Sequence, residues 1–402
     1  MGLITGTIIK LKRLSFIRKI CLAIIALNMV LALGANIIAN DKPLYCNCDG
    51  HSLWPAWEDY LSWFYSDHQQ HLTDYTHCTR VIMPLIPFHS TSIDPASSGY
   101  SAPLKKSSTV GATHWLGTDA LGRDVLAGLI HGARFVWILG LLSTIIAAIP
   151  GIGLGMLIGY WQNKRLKWSV GQILILLIWW SLALYEAMVL SWHFDGVSFG
   201  LMLLSLLIVW SLTSKIFFRS FQIIGPKIFV PVDHVVMRGI DVFESFPKMF
   251  LLMGLMVVMT RPSVFMLSVM VAIIRWTLFV QVARAETLKE RVANYVISAE
   301  NINLPWWKIL IKHIWPNIKS SLLVTAIFSF SAAILVEASL SFIGLGLRIE
   351  VVTWGSLLNA GRQYMPGWWL SLFPGLAIFS LLLSLNWLFI DRSKLAGQYE
   401  KS

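Results

Sequence analysis

Side chains that could bind a metal ion are concentrated in one polar segment, residues 41–131. The segment holds these cysteines and histidines: Cys46, Cys48, Cys78, His51, His68, His71 and His77. Thiolate and imidazole groups are usual zinc ligands, but the Cys-x-Cys spacing matches none of the standard zinc patterns. In an oxidising compartment, two of the three cysteines could form a disulfide bond instead. We therefore expect no metal site, and the sequence leaves the disulfide open.

Two charged residues lie inside stretches that are otherwise apolar, Arg275 and Glu337. A charge in the hydrocarbon core of a membrane costs about 2.5–3.5 kcal/mol on insertion scales, so a buried arginine needs a partner or water. Glu337 and Glu244 are both candidate partners for Arg275. The sequence does not choose between them.

The sequence contains no motif for a chemical reaction. It has no glycine-rich phosphate-binding loop that ends in Lys-Ser or Lys-Thr, no Gly-x-Ser-x-Gly turn and no His-Glu-x-x-His helix. The histidines of segment 41–131 have no nucleophile that could act with them. We therefore predict no catalytic residue, no cofactor site and no nucleotide site.

Apolar runs dominate the chain. Of its 402 residues, 56% are hydrophobic and only 13% are charged. Several runs reach the roughly 20 residues that a helix needs to cross a bilayer, and a helix satisfies its own backbone hydrogen bonds in lipid. The net charge of +11 is carried by short segments beside these runs. This is the positive-inside pattern, so we predict an all-α, multi-span membrane protein with no nucleic-acid partner.

The basic residues also predict which side of the membrane each segment faces. Five of them precede the first span, which indicates a cytoplasmic N-terminus and an uncleaved anchor rather than a signal peptide. We predict eight spans, of which two are inserted; Glu186 should reach the membrane surface from the first inserted span. The predicted segments are 1–40 (N-terminus and span 1), 41–131 (external loop domain), 132–163 (span 2), 164–232 (inserted hairpin of two spans), 233–395 (the rest of the core, with a cytoplasmic loop at 285–319) and 396–402 (cytoplasmic tail).

The stretch Asn294–Asn317 is polar and basic, and it lies between two apolar runs. Tyr295–Ile302 and Trp306–Ile314 can each form a helix, the second supported by apolar residues at helical spacing. Asn303 and Pro305 interrupt the pattern, because Asn tolerates a left-handed backbone and Pro disfavours a helical residue before it. The stretch is therefore predicted to be a helix, a break and a second helix.

This stretch resembles the EAA loop, a cytoplasmic loop of ABC importer permeases. The residues that carry the alignment with its peptide-transporter version are Tyr295, Val296, Ala299, Lys308, His313, Pro316 and Asn317. Two residues depart from it: Ile297 stands where the family usually has Glu, and Asn303 where it usually has Gly. Asn can replace Gly at positive φ with modest strain, so the break is expected to survive. Whether Ile297 weakens coupling to an ATPase is left open.

A second resemblance lies before span 2. The segment His114–Phe135 is similar to the motif at this place in dipeptide, oligopeptide and nickel permeases, and the matching residues are Gly117, Thr118, Asp119, Gly122, Arg123 and Asp124. Asp119 is expected to cap a helix that begins near Ala120, and Gly122 to allow close packing. We interpret the motif as structural rather than as a substrate contact.

Further stretches match the same family, among them Arg238–Asp241 and the surroundings of Glu337. The chain is thus similar to a permease of the dipeptide, oligopeptide and nickel transporter class, of the second subunit type. The start of its external loop, Ile38–Leu44, resembles the same place in the microcin C branch of that class. The resemblance implies a type I ABC importer permease fold, with about six core spans plus the two inserted spans and an extracellular loop domain between spans 1 and 2.

The resemblance also implies a function. The chain would be a permease subunit of an ATP-driven importer for peptides or related small solutes, in a bacterial inner membrane, with both termini in the cytoplasm. The implied partners are a homologous second permease, two ABC ATPase domains, an extracellular substrate-binding protein and membrane lipid. The residues expected to contact the ATPase are Ser298, Ala299, Glu300, Asn303, Leu304, Pro305 and Trp306.

The two alternatives to this function are a membrane scaffold and a secondary transporter. A membrane scaffold that kept the permease fold but lost transport is suggested by Ile297 and by the inserted spans. A secondary transporter would contain an inverted repeat of its spans, and we find none. The substrate is left open, because importers of peptides, nickel chelates and peptide antibiotics share this architecture.

Overall fold

The computed structural model is mainly helical. It describes residues 2–48, 51–56, 80–107, 111–162, 167–169, 227–229, 231–258, 263–347 and 351–399. Its helices are α1 (Gly2–Leu33), α2 (Ala35–Ile38), α3 (Val125–Trp161), α4 (Val232–Ser245), α5 (Lys248–Val258), α6 (Val264–Arg291), α7 (Asn294–Asn301), α8 (Trp306–Ile309), α9 (Trp315–Ile343), α10 (Trp354–Gln363) and α11 (Trp368–Tyr399). A 3₁₀ turn at Pro95–Ser97 and a π turn at Leu310–Ile314 complete the helical elements.

Short antiparallel strands occur between the helices. They are β1 (Tyr45–Cys48), β2 (His51–Leu53), β3 (Arg80–Ile82), β4 (Lys105–Lys106), β5 (Thr113–His114), β6 (Lys167–Ser169) and β7 (Lys227–Phe229). β1 lies between β2 and β3, β4 pairs with β5, and β6 pairs with β7. In the three-stranded sheet, Asn47 lies opposite both Ser52 and Arg80.

Five helical stretches are long and apolar enough to cross a membrane. They are Phe16–Leu33, Val125–Trp161, Val264–Arg291, Trp306–Ile343 and Trp368–Leu388. They agree with five of the eight predicted spans. The two predicted inserted spans, together with Glu186, lie outside the described residues, as do His68, His71, His77 and Cys78.

The span predicted to open at Asp241 is divided into two helices. α4 begins at Val232, before the predicted opening, and ends at Ser245; α5 begins at Lys248. Pro247 explains the interruption, because proline disfavours a helical conformation at the residue before it. The sequence predicts a span that opens at Asp241 and reaches about Thr260, and in the structure the described part of this segment is not a single helix.

The chain divides into two compact units, which we describe separately. The first comprises residues 1–153, 246–282 and 317–402, and the second comprises residues 154–245 and 283–316. In the first unit α11 packs against α1 and α10. Its main core cluster contains Ala32, Ala133, Val136, Phe330, Ile334, Ala338, Trp354, Ile378, Leu381 and Leu385. A second cluster joins α3, α5, α6 and α9 through residues that include Phe135, Leu139, Leu252, Leu267 and Leu340.

Cys46 lies at the centre of the small sheet. Its side chain is fully buried. A disulfide among Cys46, Cys48 and Cys78 stays a prediction, because Cys78 lies outside the described residues.

Glycines on α3 allow neighbouring helices to approach closely. A Cβ atom built on Gly140 would lie 2.5 Å from the ring of Phe330. One built on Gly151 would lie 2.7 Å from Cβ of Phe279 and 2.8 Å from the carbonyl oxygen of Trp276. Small residues at such positions let membrane helices pack backbone against backbone.

Gly151→Ala should destabilise the protein by about 1–3 kcal/mol, because the added methyl group meets the backbone of α6 and forces the helices apart. Gly153→Ala is the matched control, since no atom lies within 4 Å of the Cβ position there. Thermal unfolding of the purified protein in detergent would measure the difference. Equal unfolding temperatures for the two variants would contradict the close approach at Gly151.

Candidate functional site

Residues 294–317 form a helical hairpin, as the sequence predicted. α7 ends at Asn301, and Asn303 then adopts the left-handed conformation with φ of 56°. The next helix, α8, begins at Trp306 directly after Pro305, which is extended. The sequence therefore located the break correctly, since a residue that tolerates positive φ and a proline stand where the chain turns.

The second helix of the hairpin does not end before the following span. α8 passes through the π turn Leu310–Ile314 into α9, so one helical stretch runs from Trp306 to Ile343. Pro316 lies near the start of α9, where its ring would meet the carbonyl group of Lys312 in a regular α-helix. The π turn just before it changes this hydrogen-bond spacing and lets the helix continue.

The apolar residues of the hairpin differ in exposure. One set is buried within the second unit: Val296, Ala299, Ile309, Leu310 and Ile314. A second set of large apolar residues is exposed: Tyr295, Ile297, Ile302, Trp306, Trp307, Ile311 and Trp315. We call this second set the apolar face. Ile302 is the most exposed of these, at 71%. Exposed apolar surface of this kind is typical of an interaction site.

The seven residues predicted to contact an ATPase do not all lie on the exposed side. Ser298, Asn303, Pro305 and Trp306 are exposed, and Leu304 is half-buried. Ala299 is buried inside the second unit, and its contact with an ATPase stays a prediction. Glu300 is half-buried and accepts a hydrogen bond from Tyr160.

The buried side of the hairpin contacts the end of α3. Oη of Tyr160 donates to Oε1 of Glu300 at 2.7 Å, and Trp161 meets Trp306 edge to face at 5.3 Å between ring centroids. The guanidinium of Arg291 lies 5.7 Å from the centre of the Tyr160 ring. Sequence reasoning missed Tyr160, because nothing in the pattern of α3 indicates a contact 140 residues away.

A charged pair joins two other elements of the second unit. Both carboxylate oxygens of Asp233, in the first turn of α4, accept hydrogen bonds from the Arg284 guanidinium in α6. Such a paired arrangement of donors and acceptors is geometrically specific and stronger than a neutral hydrogen bond. Sequence analysis did not single out Asp233, although its place in the first turn of a helix is favourable for an acid.

The motif before α3 forms a tight turn, but not with the predicted cap. Asp119 accepts hydrogen bonds from the backbone N–H groups of Leu121 and Arg123, and it pairs with the Arg123 side chain at 2.7 Å. α3 begins at Val125, and the residue that caps it is Asp124, whose Oδ1 accepts from Ala127 N at 2.7 Å. The prediction that Asp119 caps a helix near Ala120 was therefore wrong.

The other residues of the motif hold backbone segments together. Gly117 has φ of 80°, and a Cβ there would lie 2.7 Å from the carbonyl oxygen of Ser101. Gly122 has φ of 85° and lies against the carbonyl group of Asp94, so the predicted close packing at Gly122 is present. Thr118 Oγ1 donates to Ser97 O and accepts from Ser101 N, and its own carbonyl group accepts from Trp369.

A buried histidine links two aspartates beside this turn. Nδ1 of His114 lies 2.8 Å from Oδ2 of Asp124, and Nε2 lies 3.2 Å from Oδ2 of Asp94. The ring is fully buried and stacks on Phe88 at 4.2 Å between centroids. Burial by itself would lower the pKa of His114, but the hydrogen bonds and charges of Asp124 and Asp94 together outweigh it and raise the pKa above 6.5. A doubly protonated ring can donate to both carboxylates.

The two charges inside apolar helices do not pair with each other. Oε1 of Glu337 accepts hydrogen bonds from Ser341 and from Thr353, each at 2.7 Å. Nε of Arg275 is buried and has no hydrogen-bond partner among the residues that the structure describes. Glu337 is therefore not the partner of Arg275. Glu244 lies in the other unit, and its pairing with Arg275 stays a prediction.

Within the described part of the chain, no group of three His, Cys, Asp or Glu side chains has an arrangement that could hold a metal ion. The hairpin combines an exposed apolar face, nearby basic residues and a hydrogen bond from Glu300 to the end of α3. The membrane-length helices on either side of it indicate a membrane-embedded component.

Comparison with known proteins identifies this component. Residues 223–389 match the family described as the inner membrane component of binding-protein-dependent transport systems. The chain is 27% identical over 272 residues to the di/tripeptide transport system permease protein DppC of Pseudomonas aeruginosa. This alignment covers 67% of each of the two chains. It is 25% identical over 365 residues to the inner membrane ABC transporter permease protein YejE of Escherichia coli, covering 88% of this chain and 85% of the relative.

A third relative, the probable D,D-dipeptide transport system permease protein of Escherichia coli, is 26% identical over 276 residues, or 68% of this chain and 70% of the relative. The chain is therefore a transmembrane permease of the ABC importers, and it belongs to a complex with other subunits. The specific resemblance to the microcin C branch stays a prediction.

Asn303→Val should disrupt the hairpin and cost about 1–3 kcal/mol of local stability, because a β-branched residue is strained at positive φ. Asn303→Gly should preserve or slightly increase stability, since glycine adopts this conformation without strain. Hydrogen exchange of the α7 amides would measure both effects. Equal protection in the two variants would contradict the role assigned to the left-handed turn.

The stability of the segment before α3 should depend on pH through His114. Because its pKa is raised in the folded protein, its contribution is complete below about pH 6.5 and is lost as the pH rises through the folded-state pKa. His114→Gln should cost about 3–5 kcal/mol at low pH, since it breaks a buried charged pair, and should remove this part of the pH dependence. Thermal unfolding at several pH values tests this; an unchanged pH profile in the variant would refute it.

Proposed function

We propose that this chain is one of two permease subunits of an ATP-driven importer for peptides or related small solutes. The observation that carries the proposal is the apolar face of the hairpin, which exposes isoleucine and tryptophan side chains beside lysines on a polar stretch between two membrane-length helices. A folded hairpin with one fixed side and one exposed apolar side has the form that docking to another protein requires.

The distribution of charge supports a cytoplasmic position for the hairpin. Basic residues surround it: Arg284, Lys289, Arg291, Lys308, Lys312 and Lys319. Basic residues also precede the first span, so the positive-inside rule assigns the hairpin and both termini to the cytoplasm of a bacterial cell with an inner membrane. Segment 41–131 then lies on the outer side, where a substrate-binding protein delivers its cargo.

The mechanism follows from the continuity of the helices. An ATPase domain docks on the apolar face, and ATP-driven closure of two such domains displaces the hairpin. Because α8 continues into α9 without a break, the displacement is passed to a membrane-length helix as a rigid-body movement. A second, homologous permease completes the pore, which opens alternately to the two sides of the membrane. Surrounding lipid contacts the remaining apolar helix faces.

The names of the relatives support peptides as the substrate class. One is named for di- and tripeptides and another for D,D-dipeptides. We extend this class to the present chain, because the matched regions include the hairpin and most of the apolar helices.

Ile302→Asp tests the docking surface directly. Ile302 is the most exposed residue of the apolar face, so a charge there should weaken binding of the cognate ATPase about tenfold or more without affecting the fold. A charged tripeptide in place of Asn303, Leu304 and Pro305 should abolish association and peptide uptake together. Co-purification of the ATPase and uptake into proteoliposomes are the measurements.

Ile93→Asp is the matched control, because Ile93 is also an exposed isoleucine, at 58%, but lies in segment 41–131. It should leave ATPase association unchanged. If both hairpin variants retained association and uptake, the docking role would be wrong. If the wild-type chain associated with an ATPase but took up no peptide or nickel chelate, the scaffold function would be favoured.

A further inference from the structure

We propose that Tyr160 and Glu300 form a clamp that makes the hairpin move together with the end of α3. Tyr160 is then a positioning residue for the coupling of ATP hydrolysis to transport. This inference rests on the proposed function, since it concerns how a docked ATPase would act on the membrane helices. It concerns a different set of contacts from the apolar face.

The clamp begins with one hydrogen bond between distant parts of the chain. Tyr160 is the penultimate residue of α3, a continuous helix of 37 residues, and its side chain is 1% exposed. Its hydroxyl group donates to the Glu300 carboxylate at 2.7 Å. A hydrogen bond to a carboxylate is about twice as strong as one between neutral groups, and here the donor side chain is buried.

Packing around this hydrogen bond includes the end of α6. Gly159 precedes Tyr160, and a Cβ there would lie 2.9 Å from both the carbonyl oxygen of Arg284 and Cβ of Thr287. The absence of a side chain therefore lets α3 lie against the backbone of α6. Arg291, the last residue of α6, places its guanidinium over the ring of Tyr160. The aromatic pair of Trp161 and Trp306 adds a second contact between α3 and the hairpin.

The Tyr160–Glu300 hydrogen bond and the apolar face use different residues of the hairpin, although Trp306 of the apolar face also contacts Trp161. On α7, Val296 and Ala299 are buried, whereas Ile297 is 45% exposed. Glu300 belongs to the inner side through its bond to Tyr160, so an ATPase docked on the apolar face need not contact it. Docking and transmission of the movement are thus assigned to separate residues and can be separated by mutation.

Tyr160→Phe is the decisive variant, because it removes the hydroxyl group and leaves the buried ring in place. In the reconstituted transporter, ATPase association should equal that of wild type, while the number of peptides imported per ATP hydrolysed should fall about fivefold or more. Glu300→Ala should behave in the same way. Glu300→Gln should retain coupling, because its amide oxygen still accepts from the Tyr160 hydroxyl group.

Tyr364→Phe is the matched control. Tyr364 also carries a ring hydroxyl group but lies outside the hairpin, where its ring stacks on that of Tyr100 at 4.1 Å between centroids. Loss of this hydroxyl group should leave the ratio of import to hydrolysis unchanged.

Hydrogen exchange tests the clamp independently of transport. In the purified full chain, Tyr160→Phe should increase exchange at the α7 amides, and Tyr364→Phe should not. The clamp is overturned if Tyr160→Phe leaves both α7 exchange and import per ATP unchanged, or if it abolishes ATPase association. If wild type imports nothing but Tyr160→Phe still increases α7 exchange, the proposed function fails and the contact between α3 and the hairpin stands.

Discussion

The second helix of the hairpin and the membrane-length helix after it form one continuous helical stretch, Trp306–Ile343, and the proposed function depends on this continuity. A proline near the start of α9 would normally interrupt such a stretch, because it lacks an N–H group and its ring meets the carbonyl group four residues earlier. The π turn Leu310–Ile314 removes the conflict by changing the hydrogen-bond spacing just before Pro316. In the proposed function, a docked partner therefore acts on a continuous helix rather than on a flexible connection.

The first helix of the hairpin, α7, depends on contacts with the rest of the second unit. A short helix such as α7 gains little stability from its own backbone and depends on packing. Val296 and Ala299 supply the apolar part of that packing. The hydrogen bond from Tyr160 to Glu300 fixes how α7 is oriented against the end of α3. Exposed residues of the hairpin such as Ile302 and Ile311 are the ones that the proposed function assigns to docking.

Sequence reasoning succeeded where structure is decided locally. Asn303 and Pro305 define the break of the hairpin because their backbone preferences act on their own residues. The prediction from sequence was wrong where two nearby residues could each cap the same helix. Asp119 and Asp124 can both cap a helix, and the choice of Asp124 depends on the tight turn that Gly122 makes against the carbonyl group of Asp94, 28 positions earlier in the chain. Likewise, Pro247 divides a run whose hydropathy alone predicts a continuous span.

The sequence alone determined that this protein is a bundle of membrane-length helices with a basic hairpin, because apolar length, charge distribution and turn residues act through neighbouring positions. Only the tertiary structure decided which side of the hairpin is buried, that Glu300 bonds to Tyr160, that Asp233 pairs with Arg284 and that His114 joins two aspartates. These contacts connect residues separated by 10 to 140 positions, so their existence depends on how helices and turns meet in space. No periodicity or motif within one segment carries that information.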